Sequence, residues 1–77
     1  MNKNVQIMTE ARLWRAVIGC AIHEWIFGPL RHKREAEKYL FGSNGDFILG
    51  CQLAGIDAKR LRAGLPRFRK LTLDLYA

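Results

Sequence analysis

Lysine and arginine outnumber aspartate and glutamate by 13 to 7 in this 77-residue chain, a formal net charge of +6, and the cations come in sets. One set, Lys59, Arg60 and Arg62, lies inside the stretch Asp46 to Leu65, DFILGCQLAGIDAKRLRAGL. A second, Arg67, Arg69 and Lys70, follows it directly, and a third, Arg31, Lys33 and Arg34 around His32, lies upstream. The chemistry open to such groups is anion recognition. Ammonium and guanidinium groups neutralise phosphates, and the arginine fork matches the two acceptors on the major-groove edge of guanine. A compact basic domain is therefore biased towards polyanions, with nucleic acid the commonest.

Covalent chemistry is not indicated. Ser43 is the only serine, and it sits in Gly42-Ser43-Asn44-Gly45 without a nucleophile-elbow pattern. Cys51 has no histidine and orienting partner beside it in the sequence, and no phosphate-cradling glycine loop is present. Cys20, His23, His32 and Cys51 lack the paired short spacings of a zinc site. The His23-Glu24 pair would need a second histidine where Phe27 stands. The expectation is a non-enzyme with no catalytic residues, no metal and no cofactor.

The elements that must position the cations follow from local rules. Phe47, Ile48, Cys51 and Ala54 recur at helical spacing behind Asp46, which can cap the helix. Gly55 stands where a helix end favours a left-handed residue, Ile56 can plug the corner, and Asp57 can cap a second helix from Ala58 to Leu65. Cys51, four positions before the glycine, is small enough for two backbones to approach. Leu61 and Leu65 then face inward, and Lys59, Arg60 and Arg62 face outward. This is the pattern of a helix-turn-helix whose second helix enters a major groove. A helical hairpin that merely closes a core would share it.

The rest of the chain is read as support for that pair. Residues 1–8 alternate polar and single apolar residues and are expected to form a loose arm. Thr9 is expected to cap a helix from Glu10 to Phe27 with a stripe of Leu13, Trp14, Val17, Ile18, Ala21, Ile22, Trp25 and Ile26, the tryptophans anchoring the core. Gly19 inside it suggests a close crossing by another helix. Gly28-Pro29 ends that helix, and Leu30 to Phe41 forms the next. Pro66 is expected to stop the last helix. Beyond it Leu71, Leu73 and Leu75 alternate with Thr72 and Asp74, which predicts a short basic strand over residues 66–77. A lone strand needs a pairing edge, and a second copy of the chain is the simplest source, although a docked tail would also serve. Cys20 and Cys51, both on apolar helix faces, are expected as buried free thiols in a cytoplasmic setting, with no membrane span or signal peptide.

LWRAVI at Leu13 to Ile18, EAEKYLF at Glu35 to Phe41, and the Asp46 to Leu65 stretch together resemble a loose set of short, largely uncharacterised proteins of phages and prophages. The resemblance implies a three- or four-helix domain with a carboxyl-terminal helix-turn-helix, but no settled activity.

The combined expectation is a single all-α domain. It has a helical core over residues 9–65, a helix-turn-helix-like pair at 46–65 and a short extended carboxyl-terminal tail. Its expected function is that of a dimeric, double-stranded DNA-binding regulator of phage or mobile-element type, acting in the host cytoplasm if phage-encoded. Lys59, Arg60 and Arg62 are expected at the groove, and Arg67, Arg69, Lys70, Arg31, Lys33 and Arg34 on the backbone. The alternative is a helical interaction module that binds and inhibits a host protein.

Overall fold

The computed structural model describes the backbone of residues 3–43 and 45–76, with side chains from Thr9 onward. Four helices follow one another: α1 (Lys3–Phe27), α2 (Leu30–Phe41), α3 (Asp46–Ala54) and α4 (Ala58–Tyr76). No strand occurs among the described residues. The all-α, four-helix expectation holds.

Both ends of the chain depart from expectation. The arm expected over residues 1–8 is helical from Lys3, and Thr9 lies inside α1 and does not cap it. No glycine or proline interrupts residues 3–18, and extending an existing helix costs far less than starting one. At the other end Pro66 lies within α4, which continues to Tyr76, so the expected strand-like tail at 66–77 is a helix as far as it is described. Ala77 and the initial Met1 and Asn2 lie outside the described residues.

Tertiary contacts explain why α4 outlasts its proline. Arg69 places its guanidinium carbon 4.7 Å from the centre of the Trp25 ring, and Phe27 meets Tyr76 edge-on at 5.4 Å. Leu61, Leu65, Phe68, Thr72 and Tyr76 recur at helical intervals, so one side of α4 lies along α1. The leucine alternation that suggested a strand is spread around this helix instead. Leu71, Leu73 and Leu75 are all exposed.

The core is built from Ile18, Trp25 and Ile26 of α1, Ala36 and Leu40 of α2, Phe47, Cys51 and Ala54 of α3, and Leu65 of α4. Trp14, Ala21, Ile22, Tyr39, Ile56, Ala58 and Leu61 pack around it. Trp25 anchors the centre, its ring 5.2 Å from Phe41, and Tyr39 stands edge-on to Phe47 at 5.8 Å. Leu13 and Val17, assigned to the buried stripe by their spacing, are exposed.

The close crossing is also elsewhere than expected. A β-carbon at Gly19 would meet nothing within 4 Å, whereas one at Gly50 would lie 3.0 Å from the Tyr39 hydroxyl and 3.3 Å from the Trp14 ring. Gly50 is therefore the position where α1 and α2 side chains press onto α3.

Candidate nucleic-acid interface

The corner between α3 and α4 is made by three residues, Gly55, Ile56 and Asp57. Gly55 adopts the left-handed conformation at φ 73° that side-chain-bearing residues disfavour. Its N–H donates to the Gln52 carbonyl at 3.2 Å, and the Ile56 N–H donates to the Cys51 carbonyl at 2.8 Å. These two bonds define a Schellman turn, and Ile56 supplies its apolar plug by packing on the core beside Cys51. Cys51 itself is fully buried.

Arg15 adds a tie that local sequence rules did not reveal. Its Nε donates to the Ala54 carbonyl at 2.9 Å across 39 residues, satisfying another free carbonyl at the end of α3. At the start of α4 the Arg60 N–H donates to Asp57 Oδ1 at 3.2 Å, the expected cap. Asp46, by contrast, occupies the first turn of α3, and the capping position belongs to Gly45 in the left-handed region. Asp46 there still places negative charge at the positive end of the helix dipole.

With the corner fixed and Leu65 buried, the facing of each α4 cation is set by helical rotation. Lys59, Arg60, Arg67 and Lys70 are exposed and fall within one sector of about 100° on the side away from Leu65. Ala63 lies between them, and Asp74 ends the stripe one turn after Lys70. The stripe runs from residue 59 to residue 70, about 16 Å at the helical rise.

Arg62 is not part of it. Its Nε donates to the Leu40 carbonyl at 2.7 Å, its Nη2 to the Gly42 carbonyl at 3.0 Å, and the guanidinium lies 4.8 Å from the centre of the Phe47 ring. The expectation that Arg62 reaches DNA is corrected: it closes the carboxyl-terminal end of α2, where unpaired carbonyls and the negative dipole attract a cation. Arg69 is likewise drawn inward, onto Trp25.

The upstream set lies on a different helix. Arg31, Lys33 and Arg34 begin α2, whereas α4 touches α2 near its other end, at Leu40 and Gly42. Nine residues of helix, about 14 Å, separate Arg31 from Leu40. Arg31 lies 3.9 Å from Glu35, both well exposed, and His32 Nδ1 lies 2.9 Å from Glu24 Oε2 across the α1–α2 corner. Such exposed pairs add little stability.

The buried titratable groups belong to the core and not to the stripe. Burial pushes the Cys51 thiol up, with Asp57 adding to the rise and Arg62 opposing it. Burial also raises the Tyr39 hydroxyl, which has no hydrogen-bond partner among the described residues. A thiol held protonated in this way is a packing group, not a nucleophile. Cys20, expected to be buried like Cys51, is exposed on α1. Among the described residues no group of three or more potential ligands could hold a metal, and no helix is long and apolar enough to cross a membrane. Comparison with protein-family models, curated proteins and solved structures finds no match to this chain.

Proposed function

We propose that this chain binds double-stranded DNA through α4, with Lys59, Arg60, Arg67 and Lys70 contacting phosphates and base edges. The observation that carries this reading is the exposed cationic stripe on a helix that leaves a tight three-residue corner. The apolar side of that helix is anchored by Leu61 and Leu65, which leaves the stripe free for a groove. A helix of this diameter fits the major groove, and an arginine reaching a guanine edge there contributes about 1–3 kcal/mol of discrimination. Arg31, Lys33 and Arg34, being distant along α2, form a second contact region on the phosphate backbone. A regulator of phage or mobile-element type, working as a dimer on two half-sites, is the biological form this reading favours.

The test is fluorescence anisotropy of a labelled random duplex at two salt concentrations. Binding at low salt should weaken by orders of magnitude as salt rises, because each phosphate contact releases counterions. Reversing Lys59, Arg60, Arg67 and Lys70 to glutamate should abolish it without unfolding the chain. An unchanged affinity in that variant defeats the assignment.

A further inference from the structure

Beside α4, on the flank away from Arg62, the structure has an apolar trough that shares only Arg60 with the DNA reading. Two adjoining hollows of about 330 and 310 Å³ share Ile22 and Phe68. One wall is α1, with Gly19, Ile22, His23, Ile26 and Phe27; the other is α4, with Leu61, Gly64, Leu65, Phe68 and Thr72. The trough follows α4 for about three turns.

Both walls carry a glycine in the middle of a helix. Each weakens its helix relative to alanine. Neither cost is recovered within the chain, because a β-carbon at Gly19 or at Gly64 would meet nothing within 4 Å. What the two glycines provide is width, room for a third backbone to come close. Phe27 and Phe68, both substantially exposed, border the same space.

The charge around the trough selects the occupant. Arg60 lines it, and no carboxylate of the described residues does. A second copy, also at +6, would bring like charge to this rim. A bilayer surface is flat and would leave a concavity unfilled.

We propose that the α1–α4 trough is a docking groove for an amphipathic helix of a partner protein whose apolar side chains enter between Gly19 and Gly64 and whose flanking carboxylate pairs with Arg60. This is recognition of a helix in a groove, read by residues at three- and four-residue spacing. Apolar burial supplies the affinity, and Arg60 sets orientation and disfavours basic helices.

The probe is a labelled helical peptide of about four turns with leucine at every third or fourth position and glutamate elsewhere, compared with the same peptide carrying lysine for glutamate. The expected result is saturable binding of the glutamate peptide to the intact chain at micromolar concentration, and none of the lysine peptide. Gly19→Ala with Gly64→Ala should weaken that binding at least tenfold. The same double variant should raise the melting temperature and leave duplex affinity unchanged, since neither glycine is on the cationic stripe. Phe68→Glu, checked for helicity by circular dichroism, should abolish peptide binding. The proposal is overturned by equal binding of both peptides, by no binding of either, or by binding indifferent to the glycine pair. It is also overturned if the chain is a dimer in sedimentation equilibrium that Phe68→Glu converts to a monomer, or if the chain takes up anionic phosphatidylserine vesicles and not the peptide.

Discussion

Arg62 Nε lies 2.7 Å from the carbonyl oxygen of Leu40, so one of the three cations expected at the groove is a strut between α4 and the end of α2. A second bond to Gly42 and the Phe47 ring complete its surroundings. Arg62→Ala would leave two partly buried carbonyls unpaired. It should cost about 2–3 kcal/mol, read as a lower urea midpoint. Arg62→Lys should recover less than half of that, because an ammonium cannot bridge two carbonyls from one plane. A stability unchanged by Arg62→Ala would remove the strut.

Lys59 and Lys70 mark the two ends of the exposed stripe and have no such duty. Each single alanine substitution should leave stability within about 0.5 kcal/mol. Each should also lower the slope of log affinity against log salt by about one, as follows when one phosphate is no longer neutralised by the protein. Arg62→Ala, at a temperature where it remains folded, should leave that slope unaltered.

Alkaline conditions should weaken the fold. The folded Cys51 thiol and Tyr39 hydroxyl both titrate above their unfolded values, chiefly because burial disfavours their charged forms. The unfolded chain therefore loses these protons first. Stability is intact below the unfolded thiol value of about 8.5 and declines as pH rises through it, with the tyrosine adding to the loss above about 10. Urea unfolding at about pH 7, 9 and 10 tests this, and a flat profile would contradict it. In the same preparation one thiol, Cys20, should react with an aromatic disulfide reagent at neutral pH, and Cys51 only on unfolding.

Gly50 should tolerate no branched side chain. Valine there would drive Tyr39 and Trp14 off the α3 backbone, a cost of about 2–3 kcal/mol from overpacking. A thermal melt comparing Gly50→Val with Gly19→Ala should move in opposite directions from the parent.

The parts of this fold legible in the sequence are those fixed by residues a few positions apart. Gly55, Ile56 and Asp57 form the turn, plug and cap that their types require, and Leu61 and Leu65 turn inward as their spacing demands. What failed was decided by partners far along the chain. Rotation alone brings Arg62 within about 60° of Leu65 and leaves Lys59 about 120° away, but the carbonyls of Leu40 and Gly42 that give Arg62 its role lie far along the chain. Pro66 looks like a stop signal until Trp25 and Phe27 are found to hold Arg69 and Tyr76. Leu71, Leu73 and Leu75 obey a period of two by coincidence, while the quieter series Leu61, Leu65, Phe68, Thr72 and Tyr76 carries the helix. Leu13 and Val17 share a helix with Ile18 but point where no element covers them. The close approach falls at Gly50 and not at Gly19 because sequence marks small residues without marking what approaches them.

Pro66 has one more effect on α4. Lacking an amide hydrogen, it leaves the carbonyl of Arg62 without the donor that every neighbouring turn enjoys. The helical ladder is thus missing a rung at the residue whose side chain is bolted to α2. Upstream, the segment bearing Lys59 and Arg60 is fixed by Leu61, Leu65 and the Arg62 strut; downstream, the segment bearing Arg67 and Lys70 is held by Arg69 on Trp25 and Tyr76 against Phe27. Amide exchange should be faster in the turn around Pro66 than on either side of it, and Pro66→Ala should erase the difference. The spacing between the two halves of the cationic row is thereby kept by side chains gripping other helices and not by an unbroken backbone.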